Sequence, residues 1–125
     1  MILTGGLGTR AREISFDSPK SMIKIESKPF IDYQLELLNK NGLDEILLCV
    51  GHQGDKIIKY VGDGSRFGMN VKYSKEDPRN LLGTGGAILN AIDYLHSNFM
   101  VLYGDSYLDI NYDQPASIWK FQQNQ

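Results

Sequence analysis

Gly5-Gly6-Leu7-Gly8-Thr9-Arg10 follows directly on a short apolar run, Met1-Ile2-Leu3-Thr4. Glycines let backbone N–H groups turn inward without Cβ clashes and so line a concave anion site. Arg10 adds a planar, always-charged donor fork suited to phosphate. A tight turn with a surface arginine would use the same residue types; strand, glycines and arginine together point to a polyphosphate cradle. Downstream, Lys20 follows Pro19 in the continuation of this loop. A lysine is a point charge that can follow a phosphate as its charge moves. Lys24 and Lys28 are read as solvated surface charges.

Two further stretches carry chemistry. Gly83-Thr84-Gly85-Gly86 opens a helical pattern. A helix N-terminus offers free N–H groups and partial positive charge, and glycines there let a flat ring or a phosphate come close. Gly104-Asp105 follows the most apolar run, residues 99–103. A carboxylate beyond a buried strand is a natural Mg²⁺ ligand, because Mg²⁺ takes few protein oxygens and substrate phosphates supply others. His52 and His96 lack a Cys or second His at ligand spacing and are read as structural or surface residues. Cys49, inside an apolar run, is read as a small hydrophobe.

One common phosphate motif is absent, and the sequence argues against a second. No stretch fits G-x-x-x-x-G-K-[ST]. The dinucleotide fingerprint would require Gly6-Leu7-Gly8-Thr9-Arg10-Ala11, and the strand that should close on a ribose-binding carboxylate ends Val50-Gly51-His52 instead. The excursion from Arg10 to Lys20, in place of an immediate helix, suits a loop that folds over a ligand.

These residues need a scaffold. Apolar runs at 1–4, 46–50 and 99–103 each end in glycine and read as strands of a parallel sheet covered on both faces. Residues 70–74 alternate and read as a fourth strand with one wetter face. Helical spacing covers 29–41, with Pro29 at its first turn and Gly42 as its stop, then 55–61, then 84–97 with Thr84 as cap. Residues 115–122 read as a helix that has just begun. The alternation of strand and helix predicts an α/β fold with ligands beyond the carboxyl ends of the strands, so the three glycine-marked tips should lie together.

Composition sets the outer bounds. The chain has 125 residues, 42% hydrophobic and 22% charged, with a formal net charge of -2. That suits one domain and excludes a disordered chain. The charge balance argues against nucleic acid or acidic membranes as main partners. A single cysteine makes a reducing, cytoplasmic setting the default. No apolar run approaches the roughly 20 residues of a membrane span, and no secretory signal pattern opens the sequence.

The four stretches, in this order, resemble the sugar-phosphate nucleotidylyltransferases, the enzymes that make nucleotide sugars. The resemblance rests on Leu3 to Arg10, on Ser18-Pro19-Lys20-Ser21-Met22 with Lys28-Pro29-Phe30-Ile31, on Leu82-Gly83-Thr84-Gly85-Gly86-Ala87-Ile88, and on Leu102-Tyr103-Gly104-Asp105. It covers nearly the whole chain and is greatest for the bacterial branch acting on mannose-, heptose- or glucose-type 1-phosphates. Ser21 stands where that family has a second proline. The resemblance implies a Rossmann-like three-layer α/β/α fold with a mainly parallel sheet. It implies that residues 1–125 are the nucleotide-binding part of a longer nucleotidyltransferase domain, cut short at the C-terminus and slightly at the N-terminus.

The implied activity is transfer of a nucleoside monophosphate from an NTP to a sugar 1-phosphate, giving an NDP-sugar and pyrophosphate. GTP comes first among the triphosphates, with CTP, UTP and dTTP open. Arg10 and Lys20 would act on the reacting phosphates. Leu3, Gly5, Gly6, Gly8, Thr9, Glu76, Gly83 and Thr84 would hold the nucleotide, and Asp105 would hold Mg²⁺. Neither nucleic acid nor membrane is expected as a partner; a homo-oligomer is compatible with the pattern. Two competing readings are an NTP-binding module without turnover, for want of the second half of the domain, and a dinucleotide-dependent oxidoreductase. The missing ribose carboxylate speaks against the second.

Overall fold

A computed structural model describes residues 1–5 and 18–115. Its sheet has four strands in the order β5-β4-β1-β6, where β1 is Ile2–Leu3, β4 is Glu45–Val50, β5 is Asn70–Lys75 and β6 is Leu102–Tyr103. All three pairings are parallel. A separate antiparallel pair joins β2 (Lys24–Ile25) to β3 (Lys28–Pro29). The helices are α1 (Phe30–Lys40), α2 (Gly54–Val61) and α3 (Gly83–Asn90).

β4 is buried from Ile46 to Val50, as an apolar run without alternation requires. Its side chains sort to two faces. Ile46, Leu48 and Val50, with Ile2 and Val71, meet Ile31, Leu35 and Leu38 of α1 and Ile57 and Val61 of α2. Leu47 and Cys49 meet Ala91, with Met1, Leu3 and Leu95 beside them. The sheet is therefore sandwiched between helices, giving the three-layer α/β/α arrangement. Burying each of Ile31, Leu35 and Leu38 is worth about 2 kcal/mol, against a few tenths for helix propensity, so packing rather than propensity determines α1.

The expected start and stop of α1 hold. Pro29 immediately precedes it, and Gly42 ends it at a φ of 75°. Leu43 N–H then reaches back to the Leu38 carbonyl at 2.9 Å, the long bond of a Schellman motif.

Three expectations are corrected. The last helical pattern, 84–97, is helical only over Gly83–Asn90, and a 3₁₀ turn, Ile92–Tyr94, follows. Ala91 N–H is shared between the Ala87 and Ile88 carbonyls, which tightens the chain and turns Ile92 out to 49% exposure. Thr84 does not cap this helix: Leu82 occupies that position, with no side-chain cap. The run 99–103 pairs only at Leu102–Tyr103, because its partner β1 is itself two residues long; Phe99, Val101 and Tyr103 are exposed. The helix expected from residue 115 lies, beyond that residue, outside the described residues. Among the described residues no helix is long and apolar enough to cross a membrane.

Candidate active site

The three glycine-marked strand tips come together. A Cβ on Gly51 would stand 2.9 Å from the Gly5 carbonyl oxygen, and one on Gly104 would stand 2.8 Å from the Leu3 carbonyl oxygen. Gly104 N–H donates to that same Leu3 oxygen at 2.9 Å. Close approach, not special backbone angles, requires glycine at these two positions. Thr4 closes the β1–β4 ladder, its N–H (2.9 Å) and its hydroxyl (2.6 Å) both donating to the Cys49 carbonyl.

Over these tips lies a cavity of about 430 Å³. Leu3 and Gly5 approach it from β1, Lys20 from a 3₁₀ turn, Glu76 from just past β5, Gly83 and Thr84 from the start of α3, and Asp105 from just past β6. Every candidate residue that falls within the described residues thus lines one hollow. Gly6, Gly8, Thr9 and Arg10 lie outside the described residues. A larger cavity of about 790 Å³ sits at the other end of the strands, among Met1, Glu45, Asn70 and Phe99, and contains none of the candidates. The smaller one gathers Lys20, Glu76 and Asp105 together with the other candidates.

Lys20 opens the 3₁₀ turn Lys20–Met22, set up by extended Pro19 and closed by Met22 N–H donating to the Pro19 carbonyl at 2.9 Å. Its ammonium lies 3.6 Å from Oδ2 of Asp105. Glu76 is tied to the sheet by its N–H, which donates to the Val50 carbonyl at 2.8 Å. Its side chain is buried, and Oε2 accepts from Leu82 N–H at 3.3 Å. A carboxylate is thus held beside the first turn of α3. Gly83 has a φ of 69°, and no atom lies within 4 Å of where a Cβ would stand on Gly83 or Gly85, so this mouth is open. Cys49 contributes to the floor; burial pushes its thiol up to about 11, which keeps that surface uncharged.

Some residues in or behind the cavity wall have no counterpart among the candidates, Ser21, Thr4 and Gln34 among them. Ser21 is buried at the cavity wall, with no partner for its hydroxyl among the described residues. Thr4 is a hydroxyl residue at a strand tip, a signal readable beforehand. Gln34, buried in α1, donates to the Tyr103 and Ser106 carbonyls. Its signal was a polar residue in the apolar stripe of Ile31, Leu35 and Leu38. His96 instead pairs with Glu45 at 2.9 Å, away from the cavity. Among the described residues no three His, Cys, Asp or Glu cluster as a metal site.

The arrangement sets a cation, a solvated carboxylate, a buried carboxylate and a helix N-terminus around one hollow at the sheet's carboxyl edge. Such a hollow can hold a polyanion and a divalent cation together.

A family model for nucleotidyl transferases matches residues 1–124. The chain is 40% identical over 111 residues to a D-glycero-α-D-manno-heptose 1-phosphate guanylyltransferase of Campylobacter jejuni, covering 89% of this chain and 49% of that protein. It is 36% identical over 121 residues to a UTP–glucose-1-phosphate uridylyltransferase of Synechocystis, covering 89% of this chain and 31% of that protein. The chain thus spans half or less of the length of these relatives. Among solved structures, HddC from Yersinia pseudotuberculosis complexed with GMP-PN superposes with a TM-score of 0.80 at 39% identity, over 94% of this chain and 52% of that one.

Proposed function

The chain belongs to the nucleotidyl transferase family, and from that premise we propose that it serves the transfer of a nucleoside monophosphate from GTP to a sugar 1-phosphate. One oxygen of the sugar phosphate forms a bond to the α-phosphorus; the bond from that phosphorus to the bridging oxygen breaks, and pyrophosphate leaves. A phosphate monoester has a second pKa of about 6, so the nucleophile is already largely dianionic at pH 7 and needs no general base. The difficulty is bringing two polyanions together, so positioning and charge neutralisation carry the catalysis.

The observation that supports this reading is the convergence of Lys20, Asp105, Glu76 and the start of α3 on one cavity. In this reading Lys20 and Arg10 take up phosphate charge, and the Gly5–Gly8 backbone with Leu3 and Thr9 cradles the triphosphate. Asp105 would hold Mg²⁺. A single solvated carboxylate next to a polyphosphate site suits this ion, which fills its shell with phosphate oxygens and water. When bound, the ion would supply further positive charge at the reacting phosphates.

Base choice falls to Glu76 with Gly83 and Thr84. A buried carboxylate only accepts, and guanine offers N1–H and N2–H₂ side by side, whereas uracil and thymine offer one N–H between two carbonyls. The guanylyltransferase name of the Campylobacter relative agrees with GTP, and its heptose 1-phosphate points to a heptose- or mannose-type acceptor. A screen of four NTPs against sugar 1-phosphates with Mg²⁺, reading pyrophosphate release, tests the proposal; release with no pair would refute it.

A second reading follows from length, since the chain spans 49% of the Campylobacter relative. Residues 1–125 would then be the nucleotide-binding part of the domain, binding NTP without turnover. Saturable GTP binding with no pyrophosphate release singles out that reading.

A further inference from the structure

α1 is an apolar element where it meets the sheet, yet Gln34 lies within its buried stripe and is only 4% exposed. Packing alone would be served there by Leu or Met. What Gln34 adds is two N–H donors on one nitrogen, and both are used. Nε2 donates to the Tyr103 carbonyl at 2.9 Å and to the Ser106 carbonyl at 2.7 Å. These two carbonyls bracket Gly104 and Asp105. Ser106 N–H also donates to the Tyr103 carbonyl at 3.2 Å, so residues 103–106 form a turn that Gln34 clips at both ends. Gly104 N–H anchors the same turn to β1 through the Leu3 carbonyl at 2.9 Å. α1 also packs against the 3₁₀ turn that carries Lys20. One helix thus supports both charges of the site.

We propose that Gln34 is a positioning residue for the divalent cation at Asp105, holding the 103–106 turn so that the carboxylate is presented to the cavity beside Lys20. The proposal rests on the reading that Asp105 binds the metal. Side chains that hold metal ligands through hydrogen bonds commonly change metal affinity about 10–100-fold when lost. An amide is suited to this task because it bridges two carbonyls at once and carries no charge to compete for the ion.

The test measures Mn²⁺ binding to the full chain at a fixed GTP concentration, as the loss of the free-ion electron paramagnetic resonance signal beyond the loss that the same GTP causes alone. Gln34→Met keeps the volume and removes both donors. We expect wild type to bind Mn²⁺, Asp105→Asn to lose that binding, and Gln34→Met to bind about 10–100-fold more weakly. GTP binding in EDTA should be the same in wild type and Gln34→Met. Wild-type Mn²⁺ affinity in Gln34→Met, with Asp105→Asn inert, would overturn the role of Gln34 alone. Equal Mn²⁺ binding by wild type and Asp105→Asn would overturn the metal assignment and the role of Gln34 with it. A second measurement needs no Gln34 variant. In wild type, Mg²⁺ with GTP should shift the Gln34 side-chain amide resonances, and Asp105→Asn should abolish the shift; unmoved resonances in wild type would overturn the proposal even if Gln34→Met fails to fold.

Discussion

The ammonium of Lys20 and the carboxylate of Asp105, from opposite ends of the chain, stand 3.6 Å apart at the mouth of one cavity. Their side chains are 29% and 55% exposed, so the pair contributes little to stability. At this distance each charge partly neutralises the other. Lys20→Met should therefore tighten Mn²⁺ binding several-fold in the nucleotide-free protein. In the complete enzyme, Lys20→Met and Asp105→Ala should each lower turnover a hundredfold or more, on the order of 3 kcal/mol, the scale for one preorganised charge. Turnover near normal in either variant removes that residue from the reaction.

Glu76 is expected to set the base. In Glu76→Gln the new side-chain oxygen can still accept from Leu82 N–H, so the fold is retained, but an acceptor for guanine is replaced by a donor. The GTP concentration for half-saturation should rise about tenfold, equivalent to ~1.4 kcal/mol, while that for UTP changes less. A uniform change across all four triphosphates would show that Glu76 does not discriminate.

Close backbone approach makes two glycines intolerant. The Cβ of Gly104→Ala would meet the Leu3 carbonyl oxygen and Thr4 Cγ2 at 2.8 Å each, and that of Gly51→Ala the Gly5 carbonyl oxygen at 2.9 Å. Backbone cannot yield as a side-chain tip can, so each substitution should cost about 1–3 kcal/mol. Gly85→Ala meets nothing within 4 Å and lies inside α3, where alanine is the better helix former. It should be neutral or stabilising by up to about 1 kcal/mol. Denaturant midpoints for the three variants check the ranking.

Cys49 gives a pH signature. The residue is 1% exposed, and burial raises its thiol from the ordinary 9.0 to about 11. The native state therefore keeps a proton that the unfolded chain releases. The resulting preference for the native state is complete below pH 9 and drains away as pH rises to about 11. The urea midpoint of wild type should fall over that window more steeply than that of Cys49→Ala. Iodoacetamide at pH 8 should spare the native thiol and label it in urea. Parallel curves for the two proteins would mean that the thiol is not the source.

Where side chains announce their burial, the fold was legible in advance. Residues 46–50 carry no polar residue to break the run, because both faces of β4 are covered. Pro29 and Gly42 bracket α1 through fixed backbone preferences. The β2–β3 hairpin was silent, because Glu26 and Ser27 take positive φ, at 51° and 70°, where Asn-Gly or Asp-Gly would have signalled a turn. α3 was overrun because helical spacing continues through Ile92 and Leu95 while the backbone tightens at Ala91. Of the site, Leu3, Gly5, Lys20, Glu76, Gly83, Thr84 and Asp105 gather as the motifs require. Gln34 stood out only as a polar residue in the apolar stripe of α1; its partners are backbone carbonyls far along the chain, which no local pattern names.

β1 contributes only Ile2 and Leu3, yet it lies between β4 and β6 and hydrogen-bonds with both. Its partners, Leu48 and Leu102, are made long after it. β4, α2 and β5 can therefore assemble while one flank of β1 still waits for residues 102–103. β1 is thus the last strand of the four to be flanked on both sides, and the rim of the cavity that Gly5 and Asp105 share closes only once residues 102–105 are in place. Pulse-labelling of backbone amides should find β4 and β5 protected ahead of β6.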